Sequence, residues 1–312
     1  MEQAVELTSV PTKPNTFTNV IPPWSFPGSF GVFGGTTLAH CLMAAQKSIS
    51  KNYVAHSLHC SFLSRADPSL QIEYQVENTR DGKSFATRTV RAIQKESLIA
   101  VAIVSFVAVG ITAADATAFR GTNSFEHSHK IPQGLIPPEK ASIEGEGIPG
   151  PLEVRGGQSL NRGFDSCVLC VCFTDESAIS GISPNPVHSL IRYWIRAKRP
   201  ILKHNLHVHL AALAWMSDAY FIAAAVHAYD ELSRRSDKEI AKVASLSHVI
   251  YFHQPDAVRA DEWMCSERES SWAGNDRAFV AQRIWNREGV LVATCVQEGL
   301  LRIREPAAKS KL

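Results

Sequence analysis

The sequence predicts an α+β protein made of two tandem modules, in each of which an antiparallel sheet of long strands wraps a long helix. Three observations predict it: an internal duplication, a helix-like stretch early in each half, and β-branched runs divided by turn signals after each helix. The chain has 312 residues, enough for two domains of ordinary size. Because solenoid repeats recur every few tens of residues, a repeat that spans half the chain indicates a duplicated domain.

The duplication is visible in "LHCSFLSRADPSLQIEY" and "LSHVIYFHQPDAVRADEW". A constant shift of 189 residues carries His59 onto His248. With three more residues inserted, "RAIQKESLIAVAIVS" lies over "RIWNREGVLVATCVQ", and Arg91 meets Arg283. We therefore expect the two halves to superpose with these two pairs matched.

Each half has the same order of predicted elements. The helices are "GGTTLAHCLMAAQKSI" and "HLAALAWMSDAYFIAAAVHAY", both rich in Ala, Leu and Met. The turn-like segments "TRDGKS", "QKES", "AGND" and "NREG" separate the β-branched runs that follow. The second half also opens with two apolar strands, near "FDSCVLCVCF" and "HSLIRYWIRAKR". A helix followed by a meander is typical of an α+β module.

The boundary between the modules is predicted in a segment rich in Pro and Gly, from Ile131 to Gly157. We place it near Gly150. Residues 1–150 then form the first module with an N-terminal extension, and residues 151–312 form the second module with a C-terminal tail.

Composition excludes several classes of partner. A hydrophobic content of 45%, a charged content of 20% and a net charge of +2 are typical of a soluble globular protein. No basic tract with interleaved aromatic residues occurs, so we expect no nucleic-acid partner. The run "LIAVAIVSFVAVGITAA" is shorter than the roughly 20 residues that a bilayer requires. It is rich in Val and Ile and predicts a long buried strand, not a membrane span.

The cysteines and clustered histidines predict no metal site and no cofactor. Seven cysteines without a signal peptide favour reduced, mostly buried thiols. In "CVLCVC", Cys170 and Cys172 alternate on one face of an apolar strand, and a structural zinc site would need a second ligand pair. "HNLHVHL" holds three histidines before a helix, which are more often surface or packing residues: His204, His207 and His209.

Three polar residues in apolar surroundings are the candidate site. Asp218 interrupts the helical stretch "LAWMSDAYFIAAAV", and burying an unpaired carboxylate is costly. Gln297 lies in the apolar strand "VATCVQEGL", and the repeat aligns it with Ser105 of the first half. Ser245 lies at the start of the predicted strand that contains "VASLSH". Each also has an ordinary structural interpretation: a paired or surface Asp, an edge-strand Gln and a turn Ser. No nucleophile elbow or phosphate loop occurs, so a hydrolase built here would activate water directly.

Seven blocks in order connect the chain with a family: "FGGTTLAHCLMAA", "HSLHCSFLSRAD", "TRDGKSFATRTVRAIQ", "YWIRAK", "LAWMSDA", "SHVIYFH" and "VATCVQEG". Together they resemble the type II acyl-CoA thioesterases, which are double-hotdog enzymes. The resemblance implies hydrolysis of acyl-CoA to free acid and coenzyme A. It implies a general base at Asp218, with Ser245 and Gln297 holding the attacking water. Two departures, "SRADP" for the family's Arg-Pro-Gly and Ser247 for an Asp, bear on substrate shape.

Two other functions remain compatible with the residues. A hotdog groove could bind acyl-CoA without cleaving it, although binding alone needs none of the three polar residues. A hydratase or dehydratase on the same fold would need an acid–base pair suited to C–O chemistry. Within the thioesterase interpretation, the acyl-CoA could also belong to a specialised biosynthetic pathway instead of fatty acid turnover.

The carboxy-terminal tripeptide Ser310, Lys311 and Leu312 matches the peroxisomal address. We therefore expect recognition by the peroxisomal import receptor and a location in the peroxisome. A homo-oligomer is compatible with the sequence.

Overall fold

The computed structural model describes residues 1–26, 29–109, 127–133, 169–173, 185–197, 199–202, 205–227 and 240–303. The predicted boundary near Gly150 and the terminal tripeptide lie outside the described residues.

The described part of the first half contains two helices and six strands. They are α1 (Glu2–Val5), β1 (Leu7–Ser9), β2 (Thr16–Asn19), α2 (Gly34–Lys47), β3 (Tyr53–Phe62), β4 (Glu73–Asp81), β5 (Phe85–Gln94) and β6 (Ser97–Ala108). The long apolar run that resembled a membrane span is strand β6 over its described part, as predicted. None of the described helices is long and apolar enough to cross a bilayer.

The described part of the second half repeats the order of the six strands and the long helix, with a second, short helix after the long one. Its elements are β7 (Leu169–Phe173), β8 (Leu190–Ala197), α3 (Leu206–Ser217), α4 (Ala223–His227), β9 (Ile240–Phe252), β10 (Met264–Gly274), β11 (Arg277–Trp285) and β12 (Leu291–Ile303). The two strands predicted at the start of this half are β7 and β8. Their counterparts, the β1–β2 hairpin, were not expected from the irregular N-terminal sequence.

The twelve strands of the described residues form one antiparallel sheet in the order β1-β2-β4-β5-β6-β3-β9-β12-β11-β10-β8-β7. Read outward from the central β3–β9 pair, each side gives the same order of equivalent strands. Helices α2 and α3 contact each other and are buried on nearly every face. A helix that is apolar all round is a core helix, which explains the Ala- and Leu-rich composition of both. The fold is the predicted double hotdog.

The strand ladders show which positions of the two halves correspond. Each half has a bulge at the same place, between Ala55 and Ser57 in β3 and between Ser245 and Ser247 in β9. Matching the bulges aligns Leu58, not His59, with His248. The expected superposition of His59 on His248 is therefore wrong by one residue. Side chains alternate between the faces of a strand, so this slip changes the face: His248 is fully buried, whereas His59 is exposed.

The same matching confirms the other expected pair and corrects the counterpart of Gln297. Val104 pairs with Leu58 and Gln297 pairs with His248, so Val104 corresponds to Gln297. The sequence alignment had placed Ser105 there. Moving outward, Arg91 and Arg283 occupy equivalent positions on β5 and β11, as expected.

The described cysteines and the two described histidines of "HNLHVHL" are packing residues. Cys41, Cys60, Cys265 and Cys295 are free and buried, as predicted. His207 and His209 lie within α3, not before it; the first bonds Gln46 Oε1 at 2.8 Å and the second is fully buried. His204 and the side chains of Cys170 and Cys172 lie outside the described residues. Among those that are described, no group of three potential metal ligands occurs.

Candidate active site

Asp218 lies at the end of a helix, not in the middle of one as the sequence suggested. It caps α3, and the chain turns through residues 218–222 before α4 begins. Tyr220 in this turn has a φ of 58°, a left-handed conformation that is unusual for a bulky residue and breaks the helix. The turn directs the Asp218 carboxylate inward, where the residue is only 6% exposed.

Ser245 and Gln297 approach Asp218 from two neighbouring strands. Ser245 lies inside β9, which begins at Ile240, and not at the start of the strand as expected. It adjoins the bulge, and bulges commonly re-aim side chains beside functional sites. Gln297 is 1% exposed on β12, which runs between β9 and β11, so it is not an edge residue.

The three predicted residues converge on one carboxylate oxygen. Asp218 Oδ1 accepts hydrogen bonds from Gln297 Nε2 at 3.0 Å and from Ser245 Oγ at 3.5 Å. Gln297 Nε2 also donates to Ser245 Oγ. Gln297 Oε1 is buried and has no hydrogen-bond partner among the described residues. The amide oxygen is therefore an unsatisfied hydrogen-bond acceptor next to the carboxylate.

The other oxygen of Asp218 faces the start of α2, in the first half of the chain. A Cβ placed on Gly34 would lie 2.7 Å from Asp218 Oδ2, so only glycine leaves room for the carboxylate. The N–H groups of Gly34 and Gly35 make no hydrogen bond within the described chain, as is usual in a first helical turn. A helix N-terminus carries partial positive charge and favours a developing anion.

Aromatic packing holds the start of α2 against the end of α3. Trp215 donates its indole N–H to Thr36 Oγ1 at 3.0 Å, and its ring lies 4.7 Å from the ring of Phe33. A Cβ on Gly35 would lie 2.4 Å from the Trp215 carbonyl oxygen, so the helix backbones approach closely here. Residues from both halves therefore fix the distance between Asp218 and the helix N-terminus.

His248 is a site residue that the sequence reasoning did not select for function. It is fully buried, its Nδ1 lies 3.7 Å from Asp218 Oδ1, and its Nε2 lies 3.0 Å from Ser217 Oγ. Nδ1 has no hydrogen-bond partner among the described residues. The signal available in the sequence was a polar residue three positions after Ser245. Strict alternation would place His248 on the opposite face from Ser245, and only the bulge between Ser245 and Ser247 brings both side chains to the face of the carboxylate.

Arg268 contacts the end of α3, next to the turn that holds Asp218. It is 1% exposed, donates to the Ser217 carbonyl oxygen at 3.0 Å, and lies over the rings of Tyr193 and Phe221. Burial lowers the pKa of its guanidinium, and the charge of Asp218 is among the groups that oppose this shift. A cation at the C-terminus of a helix is electrostatically favourable, so Arg268 stabilises the end of α3 next to Asp218.

A cavity of about 1040 Å³ opens onto the carboxylate. Its wall includes Gly34, Asp218, Ser245 and Gln297. Apolar side chains form most of the remainder, among them Phe33, Phe62, Ile99, Phe221, Ile222 and Leu300. An apolar groove ending at a buried acid and a helix N-terminus suits a ligand with an apolar tail and a polar, reactive group.

Comparison with known proteins connects this geometry with a family. Residues 21–107 match the model of the acyl-CoA thioesterase N-terminal domain, and residues 150–301 match that of the C-terminal domain. A hot dog protein from Alicyclobacillus acidocaldarius, 17% identical, covers 98% of both chains with a TM-score of 0.69 and supports the fold. An acyl-CoA thioesterase II from Mycobacterium marinum, 26% identical, covers 98% of both chains with a TM-score of 0.73.

Relatives with assigned activities are similar over most of their length. Human acyl-coenzyme A thioesterase 8 is 32% identical, and the match covers 90% of this chain and 83% of that protein. The peroxisomal acyl-coenzyme A thioester hydrolase 1 of Saccharomyces cerevisiae is 25% identical, with 96% and 93% covered. With both domain models matched in order and a relative above 30% identity, the chain belongs to the acyl-CoA thioesterase family.

Proposed function

We propose that the protein hydrolyses acyl-CoA thioesters to free acid and coenzyme A, with Asp218 as the general base. The observation that carries this proposal is the convergence of Gln297 and Ser245 on Asp218 at the closed end of an apolar cavity. The activities of the human and yeast relatives support the same reaction class. A thioester hydrolase is thus the function that best suits both the site and the family.

The attacking group is a water molecule held between Asp218 and Gln297. Oδ1 of Asp218 is fixed by two donors, which leaves Oδ2 to accept a proton from water. The free Oε1 of Gln297 accepts the second hydrogen of the same water and directs its oxygen at the thioester carbon. Positioned proton transfer of this kind is worth roughly 10²–10⁴-fold in rate.

The start of α2 stabilises the charge that forms on the carbonyl oxygen. As water adds to the carbonyl carbon, the C=O electron pair moves onto oxygen, and the N–H groups of Gly34 and Gly35 donate to that oxyanion. Collapse of the tetrahedral intermediate then breaks the C–S bond. The proton held by Asp218 passes to the departing coenzyme A thiolate, which regenerates the carboxylate.

The test is free-thiol release by Asp218→Asn, which keeps size but removes the base. We expect a fall of at least about 100-fold, with circular dichroism unchanged and acyl-CoA binding retained. Asp276→Asn, which alters an exposed acid paired with Arg302, is the matched control and should hydrolyse normally. Burial raises the pKa of the Cys41, Cys265 and Cys295 thiols to about 12, so these protein thiols should add little background.

Two results would count against the proposal. An Asp218→Asn protein that hydrolyses at the wild-type rate would remove Asp218 from the mechanism. A wild-type protein that binds acyl-CoAs but releases no thiol from any of a panel would favour the non-catalytic binding function.

The substitutions Ser245→Ala and Gln297→Ala should each lower the hydrolysis rate less than Asp218→Asn does. When they are combined, the losses of rate should be far from additive because the residues act as a unit.

We further propose a peroxisomal location for the protein. The tripeptide Ser310, Lys311 and Leu312 supports this, as does the yeast relative, whose name places it in the peroxisome. A fluorescent protein fused to the amino terminus should appear in peroxisomes, and deletion of the tripeptide should leave it in the cytosol. Import that survives the deletion would show that the tripeptide is not the address.

A further inference from the structure

Two cations, one from each half, line the catalytic cavity at its solvent-exposed end. Arg65 follows the end of β3, and Lys242 lies near the start of β9. Ser61 pairs with Ser247 at this end of the β3–β9 ladder, so both cations lie beyond the same end of it. Apart from Asp218, they are the only charged residues among the described lining of the cavity.

The direction of Arg65 is constrained by a close contact with the backbone. A Cβ placed on Gly31 would lie 2.8 Å from Arg65 Cγ, so the Arg65 stem lies against a glycine that leaves room for it. The acid nearest in sequence, Asp67, accepts hydrogen bonds from Ser69 N and Oγ at 2.9 and 2.7 Å. Neither Arg65 nor Lys242 forms a side-chain ion pair in the described part of the chain, so both charges are available to an anion.

Large apolar side chains lie exposed beside these cations. Phe30, Leu63 and Val243 line the same cavity and are 81%, 56% and 50% exposed. Single exposed apolar residues are common, but three around the mouth of one cavity mark a binding surface. Phe30 is the residue best suited to stacking, because an accessible aromatic face binds nucleobases of any sequence.

We propose that this surface, Phe30 with Arg65 and Lys242, binds the nucleotide portion of coenzyme A. The two cations contact its phosphates, and Phe30 stacks on its adenine. The inference rests on the proposed function, since it takes the ligand of that same site. The chemistry agrees with the layout: the thioester reaches the buried carboxylate, whereas the charged nucleotide remains at the solvent end, where cations and an exposed ring meet it.

The test separates the nucleotide from the rest of the ligand. For Arg65→Gln and Lys242→Gln, we expect kcat/KM for the best acyl-CoA to fall about three- to tenfold each, mainly through KM. The pantetheine thioester of the same acyl group lacks phosphates and adenine, so its kcat/KM should not change. Lys83→Gln removes an exposed charge outside the cavity and should leave both substrates unaffected.

Calorimetric titration with free coenzyme A tests the same surface without catalysis. Arg65→Gln, Lys242→Gln and Phe30→Ala should each weaken coenzyme A about threefold or more, with the Phe30→Ala loss absent for 4′-phosphopantetheine. Equal losses for acyl-CoA and acyl-pantetheine, or unchanged coenzyme A affinity, would overturn the proposal. If no thioester is cleaved, the proposed function fails on its own, and the titration still decides whether the nucleotide binds here.

Discussion

At the residue scale, the candidate site depends on four polar groups that the chain brings together from two strands and one helix end. An acid, an amide and a hydroxyl within apolar sequence were enough to select Asp218, Gln297 and Ser245. Their contacts could not be predicted, because the helix break at Tyr220 and the bulge beside Ser245 leave no Gly or Pro signal. The fourth group, His248, was missed because strict alternation puts it on the opposite face from Ser245, and the sequence does not reveal the bulge that brings them together.

The role of His248 can be separated with two substitutions. Its Nδ1 faces Asp218 Oδ1 at 3.7 Å and its Nε2 contacts Ser217 Oγ at 3.0 Å. In His248→Asn the amide can replace Nδ1, whereas in His248→Gln it can replace Nε2. If His248 orients the carboxylate, the Asn variant should retain more kcat than the Gln variant, by roughly tenfold.

Thermal unfolding and KM provide the control for that comparison. Both variants lose one of two contacts made by a fully buried ring, so we expect similar falls in Tm. KM should change little, since His248 is not in the described lining of the cavity. If kcat follows Tm equally in both variants, His248 is a packing residue only.

The substitution Gly34→Ala should lower activity without a matching loss of stability. The added methyl group would lie 2.7 Å from Asp218 Oδ2 and 3.3 Å from Phe62 Cζ, so the carboxylate must move. Alanine in place of glycine in a helix raises stability by roughly 0.4–1 kcal/mol where it fits. Displacing a buried, hydrogen-bonded carboxylate offsets that gain, so we expect little change in Tm with a fall in kcat on the order of 100-fold.

A matched glycine elsewhere tests whether that effect is local. At Gly274 an added Cβ meets its nearest neighbour, Trp272, at 3.4 Å, an ordinary contact, and neither residue belongs to the described cavity wall. Gly274→Ala should therefore retain activity. Normal turnover by Gly34→Ala would mean that Oδ2 does not need its present position.

At the element scale, the two core helices meet where one ends and the other begins. Their positions were predictable from composition, since long runs of Ala, Leu and Met indicate buried helices. The end of α3 was not, because residues 218–222 continue the same apolar pattern and only the left-handed Tyr220 interrupts it. The N-terminal helix α1 was also missed: at four residues it is too short for periodicity, and a tertiary contact to α2 holds it.

That contact predicts a pH dependence of stability. His40 on α2 is fully buried; its Nε2 donates to the Ala4 carbonyl oxygen at 2.9 Å, and its Nδ1 accepts from the Tyr74 hydroxyl at 2.9 Å. Burial lowers the pKa of His40 from 6.5 to about 4. The unfolded chain therefore binds a proton first as pH falls, so this contribution to stability is complete above pH 6.5 and declines towards pH 4.

Between pH 6.5 and pH 4 the free energy of unfolding should fall by roughly 3 kcal/mol, because each unit of the pKa difference corresponds to about 1.4 kcal/mol. Denaturant unfolding between pH 7 and pH 4 measures it. His40→Gln keeps an N–H donor but does not titrate, so its free energy of unfolding should vary less with pH. His59→Gln changes an exposed histidine and should retain the wild-type pH dependence. Equal slopes in all three proteins would show that His40 does not control the acid response.

At the scale of the whole molecule, the duplication produced a nearly symmetric sheet with an asymmetric interior. The symmetry was predictable because strand lengths and turn signals recur in both halves. The asymmetry appears only when the ladders are matched. Ser245, His248 and Gln297 correspond to Ala55, Leu58 and Val104, all of which are fully buried apolar residues. The second half therefore carries polar groups at positions where the first half carries apolar packing residues.

In the first half, the position related by symmetry to the candidate site is occupied by side-chain contacts between α2 and α3. The end of α2 meets the start of α3, as the end of α3 meets the start of α2. There, Gln46 donates to the His207 carbonyl oxygen at 3.3 Å and its Oε1 bonds the His207 ring at 2.8 Å. The residue that caps α2 is Ser48, where Asp218 caps α3. No acid corresponds to the proposed base, so the first half supplies the helix N-terminus and the second half supplies the base.

This division predicts one active site per chain. Calorimetric titration with an alkyl thioether of coenzyme A, which cannot be hydrolysed, should saturate at one ligand per chain. Asp218→Asn alone should remove essentially all thiol release, because a second, independent site would leave about half of it. Gln46→Ala should leave both the stoichiometry and kcat unchanged, since that contact only fills the related position. Two ligands per chain, or half of the activity surviving in Asp218→Asn, would mean that the first half has kept a site of its own.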